Sequence, residues 1–147
     1  MGDKYPGYVF DLASYVDHEC LSCLVVYRDG RDVASSTLRA VRTMWRGLPF
    51  TRNIDTVEKI AGRWVFGIEQ MLRHEAKVHV VRYEDLVSDP KTVMRGVSEW
   101  LGVDPDGFPH APVRSTSVGK FREGLTASEL DTVNEVAGPT LTKLGYC

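Results

Sequence analysis

The sequence predicts an α/β fold with a parallel sheet flanked by helices, and three observations carry that reading. Two short apolar runs, 21–27 and 77–83, read as buried strands; segments of helical periodicity lie between and after them; and each run opens into a charged loop. Strands that alternate with helices pair in parallel, because a crossover helix returns the chain to the same end of the sheet. Ligands in such sheets gather at the carboxyl ends of the strands, which is where both charged loops fall.

Taken in order, residues 6–16 have helical spacing, with Tyr8, Leu12 and Tyr15 or Val16 on one face. The first strand follows at 21–27. Asp32 stands where a helix N-cap belongs, and 33–45 reads as a helix stopped by Gly47 and Pro49. A longer helix spans 54–74, and KVHVVRY (77–83) is the second strand. EDLVSDP (84–90) reads as the loop after it. Pro90 suits the first turn of a helix that runs to Trp100 and Leu101 and stops at Gly102. Residues 103–125 carry prolines and turn residues without periodicity, the mark of a long functional loop or of an ordinary connector. The last helix covers 127–144 and ends at Gly145, and residues 1–147 read as a single domain.

Composition narrows the function classes. A net charge of −2 and a pI near 6.1 argue against broad capture of nucleic acid or of an anionic membrane, since either needs a basic surplus over a large face. Anion recognition is therefore expected to be local. No apolar run approaches the roughly 20 residues that span a bilayer, and no charged-then-apolar leader opens the sequence, so a cytoplasmic protein is expected. A myristoylation signal would need Ser or Thr where Pro6 stands. Cys20 and Cys23 have CxxC spacing with His18 nearby, but there is no second pair, and Cys23 lies inside an apolar run. A core thiol is the expected role, and no metal site is expected.

The stretch LVVYRDGRDVASST (24–37) concentrates the chemistry. The strand delivers Arg28, a planar bidentate donor, and the helix after it presents unpaired N–H groups and the positive end of its dipole. Ser36, one turn inside that helix, adds a hydroxyl. A phosphate site and a salt-bridged turn that only caps a helix both fit these residues.

YRDGRDVASS resembles the 3′-phosphate-binding segment of sulfotransferases that use 3′-phosphoadenosine 5′-phosphosulfate (PAPS), with Arg28 and Ser36 at that segment's separation. RYEDLVSDP (82–90) is similar to the second strand and following loop of that family. VRSTSVGKFREGLT (113–126), followed by a helix ending LTKLGYC, resembles its C-terminal donor-binding loop and last helix. The wording RDGR and LGY is closest to the bacterial and tyrosylprotein-sulfotransferase-like branch.

The resemblance implies a P-loop NTPase-like sulfotransferase fold. It implies that Arg28 and Ser36 hold the 3′-phosphate, that Tyr83 positions the adenine, and that Lys120 reaches the phosphosulfate end from a loop acting as a lid. Ser115 resembles a serine close to the reacting group, and Lys4, in GDKYP, resembles a lysine that stabilises the transferring sulfuryl group. PAPS would be the donor, adenosine 3′,5′-bisphosphate (PAP) the product, and a hydroxyl compound the acceptor. Sulfuryl transfer builds negative charge on the equatorial and leaving oxygens, so aligned cations and hydroxyls are wanted, with a base for the acceptor's proton. Arg39, Arg42 and Arg46, spaced by three and four, form a basic ridge that either selects an acidic acceptor, as in the tyrosylprotein branch, or pairs with neighbouring carboxylates.

Two parts of the family pattern are not found. Nothing before Arg28 resembles the Gly-rich 5′-phosphosulfate loop, and the general base is missing as well. Pro6 stands where cytosolic sulfotransferases have a histidine, and the glutamate of the tyrosylprotein-like branch comes from a segment upstream of Met1. His18, His74, His79 and His110 read as structural or surface groups. The expectation is the C-terminal portion of the family domain, incomplete at its N-terminus, with partly uncovered strand faces completed by a homodimer, a complementing chain or upstream residues. A non-catalytic nucleotide-binding module is the alternative. A P-loop kinase is disfavoured, because no G-x-x-x-x-G-K-[ST] occurs.

Overall fold

The computed structural model describes residues 2–107 and 117–146. The chain divides into two compact units, one formed by Met1–Tyr27 with Glu69–Thr116, the other by Arg28–Ile68 with Ser117–Cys147. The mixed α/β architecture is the one the sequence predicts. Among the described residues, no helix is long and apolar enough to cross a membrane.

The first unit holds the sheet. β1 (Leu24–Tyr27) and β2 (His79–Arg82) pair in parallel, with Leu24 opposite His79 and Tyr27 opposite Arg82. Both strands are shorter than their apolar runs. Leu21 is drawn into a turn by a bond from its N–H to the His18 carbonyl (3.0 Å), and Lys77 closes a 3-10 turn on the His74 carbonyl (2.8 Å). Leu24 and Val26 on one face of β1 are 40% and 51% exposed, whereas parallel strands are ordinarily covered on both faces. Ahead of β1, the predicted first helix is split into a 3-10 turn, Pro6–Asp11, and a short α1, Ala13–Val16. Gly7 and Pro6 are poor helix formers at its start.

EDLVSDP does not form a plain loop. Tyr83–Ser88 winds into α4 directly after β2, with Glu84 and Asp85 in the first turn where the helix dipole favours negative charge. α5 (Pro90–Leu101) follows the sequence signals at both ends, with Pro90 opening the helix and Gly102 closing it at φ 66°; in addition Asp89 caps it, accepting a hydrogen bond from the Thr92 N–H (3.1 Å). Trp100 stacks on His79 with 4.9 Å between ring centroids, so this histidine packs between strand and helix.

The second unit is helical: α2 (Gly30–Arg42), most of α3 (Val57–Arg73), α6 (Phe121–Gly124) and α7 (Ala127–Lys143). α2 begins earlier than predicted, because Asp29 rather than Asp32 is its N-cap and accepts from the Arg31 N–H (2.9 Å). It also ends earlier. The Thr43 hydroxyl donates back to the Arg39 carbonyl (2.8 Å), and the Trp45 N–H reaches the Ala40 carbonyl (2.8 Å), which unwinds the chain and takes Arg46 off the helical ridge.

The core of this unit is built from matching helix stripes. Val133, Ala137 and Leu141 recur every four residues along α7 and are fully buried, as are Ala34 and Leu38 of α2 and Ile60, Ala61 and Ile68 of α3 to within a few percent, with Trp64 beside them 9% exposed. Packing of α2 against α6 is close enough to require glycine: a Cβ on Gly124 would lie 2.0 Å from Ser35 Oγ. Thr126 and Glu129 form a reciprocal capping box at the start of α7.

Two outcomes follow from this packing. Gly124→Ala should lower stability by about 1–3 kcal/mol in urea unfolding, and adding Ser35→Ala should recover part of the loss, because overpacking at one contact is relieved from either side. The second concerns Glu129, whose carboxyl is held below its ordinary range first by the Thr126 N–H and then by Arg42. A depressed carboxylate contributes stability above its unfolded pKa that is lost as pH falls through the folded one. Thermal melts should therefore show wild type above Glu129→Gln at neutral pH, with the gap closing as pH drops through and below the carboxylate range.

Candidate functional site

Asp32 is the centre of the second unit's polar structure. It is 2% exposed, and its carboxylate accepts hydrogen bonds from the Gly119 N–H (2.8 Å) and the Phe121 N–H (2.9 Å) while pairing with the Arg28 guanidinium (3.0 Å). Arg28 also donates to the Ser117 carbonyl (2.6 Å). Behind it, the Trp64 indole N–H donates to the Arg28 carbonyl (3.1 Å), so the arginine is fixed through both backbone and side chain. Trp64 reaches that carbonyl by lying across Gly30, where any Cβ would meet its ring at 2.7 Å.

A second arginine completes the frame. Arg31 pairs with Asp29 (2.7 Å), donates to the Tyr146 carbonyl (2.7 Å), and lies 4.5 Å from the centroid of the Phe121 ring. The RDGRD sequence is therefore a double clamp. Its two aspartates and two arginines tie the head of α2 to residues 117–121 and to the chain end near Tyr146. The spacing of Arg28 and Asp32 by four residues is the signal that identifies this pair in the sequence. It was open to misreading because a N-cap is the commoner role for an aspartate ahead of a helix.

The residues singled out in the sequence are distributed as follows. Arg28 and the 117–121 segment carrying Lys120 come together through Asp32, and Lys120 itself is exposed at the head of α6. Ser36 is exposed on α2 and faces a surface groove of about 320 Å³ that it shares with Thr37, Arg39, Thr43, Met44 and Trp45. Arg42 is paired with Glu129 (2.5 Å), so the predicted basic ridge is partly neutralised. Tyr83 and Lys4 belong to the first unit: Tyr83 is half-buried at the start of α4, and Lys4 is exposed. Ser115 and His110 lie outside the described residues.

The remaining candidates are ordinary. Cys20 is exposed and Cys23 half-buried, so the expected core thiol is realised only in part. His18 Nδ1 accepts from the Cys20 N–H (3.3 Å), a local turn contact. Among the described residues, no cluster of three or more His, Cys, Asp or Glu side chains is placed to hold a metal ion.

With this arrangement in view, the comparisons with known proteins bear on it directly. Residues 22–107 match the sulfotransferase family, which is more than half of the chain, and the protein belongs to that family. The matched span runs from β1 to the 3-10 turn Pro105–Gly107 and includes Arg28, Ser36 and Tyr83, whereas Lys4, Ser115 and Lys120 fall outside it. Among curated proteins and solved structures, none matches the chain. Membership supports a sulfotransferase-type function, and the family in general takes its sulfuryl group from a nucleotide donor, PAPS, and delivers it to a hydroxyl acceptor.

The Asp32 clamp makes a stability prediction. Asp32→Ala removes the partner of a largely buried guanidinium and orphans two backbone N–H groups, so it should lower stability by about 3 kcal/mol or more. Limited proteolysis should show new cleavage near residues 117–121, and the same substitution should leave the register of the β1 and β2 pair unchanged in amide exchange.

Proposed function

We propose that the protein binds PAPS and PAP through the 3′-phosphate and adenine, and that it acts in sulfuryl transfer to a hydroxyl acceptor. The observation that supports this best is the fixing of Arg28 at the head of α2. Its backbone is held by Trp64 and its side chain by Asp32 and the Ser117 carbonyl, and the same carboxylate straps down the segment that carries Lys120. A pre-oriented guanidinium binds a phosphate at lower entropic cost than a mobile one, since its rotamers are already restricted.

The donor set fits the group. Arg28 brings a planar cation, Ser36 an exposed hydroxyl and Lys120 an exposed ammonium, which together match a doubly charged phosphomonoester and a phosphosulfate. Tyr83 would lie against the adenine, and Lys4 and Ser115 would serve the reacting end. Bound PAPS supplies the activated sulfuryl group; the chain's part is to hold it, neutralise developing charge and position the acceptor.

Calorimetric titration with adenosine 3′,5′-bisphosphate, beside adenosine 5′-monophosphate, tests the reading. The bisphosphate should bind, the monophosphate should bind about tenfold or more weakly, and Arg28→Lys should remove most of the difference, because a point cation cannot replace the bidentate fork. Circular dichroism of the variant separates lost binding from lost folding. Equal affinity for the two nucleotides, or none for either in a folded protein, would count against the proposal. Binding without turnover of PAPS on any hydroxyl acceptor would instead mark the protein as a nucleotide-binding module.

A further inference from the structure

A net charge of −2 disfavours electrostatic capture over a broad face, but the charge is not evenly spread along the chain. Residues 39–54 carry Arg39, Arg42, Arg46 and Arg52 and no aspartate or glutamate. Arg42 is paired with Glu129, whereas Arg39, Arg46 and Arg52 are exposed and pair with no carboxylate among the described residues. The same stretch exposes large apolar side chains: Met44 at 75%, Phe50 at 51% and Leu48 at 43%. This exposure is built in. The Arg46 N–H donates to the Thr43 carbonyl (3.3 Å), the Leu48 N–H donates to the Trp45 carbonyl (3.1 Å), and Gly47 between them takes φ 81°. Thr51 is buried, and its N–H (3.1 Å) and hydroxyl (2.6 Å) both donate to the Leu48 carbonyl at the head of the 3-10 turn Pro49–Asn53. From α3, Lys59 Nζ donates to the Arg52 carbonyl (2.9 Å). Successive turns thus hold Met44, Leu48 and Phe50 out in water, an arrangement that marks an interaction surface.

Apolar side chains set among unpaired arginines fit one kind of partner better than others. A second copy of this chain on the same patch would bring like charges together across a symmetric contact, which is repulsive. Nucleic-acid bases stack on open aromatic faces, but here Trp45 and Phe50 meet edge to face, 5.7 Å apart at 67°, and Met44, Leu48 and Pro49 around them are aliphatic. The surface of an anionic phospholipid bilayer answers both features. Its headgroups attract guanidinium groups, its acyl boundary accepts aliphatic chains, and the zone between the two favours tryptophan.

We propose that residues 44–50 dock on the face of an anionic phospholipid bilayer without crossing it. Met44, Leu48 and Phe50 enter the boundary between headgroups and acyl chains, Trp45 lies at headgroup level, and Arg39, Arg46 and Arg52 pair with lipid phosphates. Each arginine near such a surface contributes about fivefold in affinity, and salt screens that contribution. A small apolar anchor binds only marginally by itself, so stable docking takes the anchor and the basic residues together. The surface asks nothing of the donor nucleotide and stands apart from the donor-binding reading.

The test is cosedimentation of the full chain with vesicles of phosphatidylcholine alone and of phosphatidylcholine mixed with phosphatidylserine, with tryptophan fluorescence as a second readout. Wild type should favour the mixed vesicles by about tenfold or more and be released as salt is raised. Binding should shift the emission to the blue, and Trp45→Phe should remove most of that shift while binding persists. Met44→Ser with Leu48→Ser should weaken binding by about tenfold. Arg46→Gln with Arg52→Gln should remove most of the preference for phosphatidylserine. All four positions are exposed, so both double variants should melt near wild type. Wild type that stays in solution with both vesicles, or binds both alike, would overturn the proposal, as would double variants that bind just as wild type does. A dimer in light scattering that Met44→Ser with Leu48→Ser dissolves would also overturn it, assigning the surface to a second copy instead.

Discussion

The second unit depends on one buried carboxylate. A charge as deeply enclosed as Asp32 is tolerated only when its lone pairs are filled and its charge is balanced. Here two backbone N–H groups and a guanidinium do both. None of the three partners lies inside a strand or a helix interior, Phe121 being the first residue of α6. Gly119 and Phe121 flank a turn whose glycine is at φ 76°, and Arg28 stands just before a helix. The segment 117–121 buries little apolar surface apart from Phe121, so the polar node rather than hydrophobic burial sets its position. The placement of both Arg28 and the segment carrying Lys120 passes through that node.

Much of the fold was legible in the sequence because it rests on local rules. Apolar runs located both strands, and Pro90 and Gly102 marked both ends of α5, since first-turn prolines and left-handed stops act within a few residues. The same local rules failed where tertiary contacts override them. Asp32 was read as a cap because the sequence offers two aspartates three residues apart, and only the arrival of residues 117–121 decides which one caps and which is buried. The α2 terminus was placed late because Thr43 to Trp45 have no breaker; the helix ends through hydroxyl back-bonding, which composition does not announce.

The candidate site was legible in kind and not in arrangement. Arg28 and Ser36 could be picked out by spacing and by family resemblance, and the family match covers both. The roles of Trp64 and Asp32 in holding Arg28, and of Arg31 in reaching Tyr146, could not, since each acts across a long stretch of chain or through a backbone atom. The groove at Ser36 was equally hidden. Its lining is a helix face plus the unwound turn after it, and that turn exists only because the helix stops at Arg42.

The Asp32 node also has a temporal side. Its bonds to Gly119 and Phe121 join residues 87 and 89 positions apart, so closing them carries the entropy of a long loop. During synthesis the aspartate is made early and stays in water until the residues near 120 have left the ribosome, which makes its burial a late event that contact order alone would slow. Arg28, four residues earlier and just ahead of the helix, waits with it as an early and already compatible counter-ion. The same pair that fixes the head of α2 in the folded chain thereby keeps a nascent carboxylate from sitting alone against a forming core.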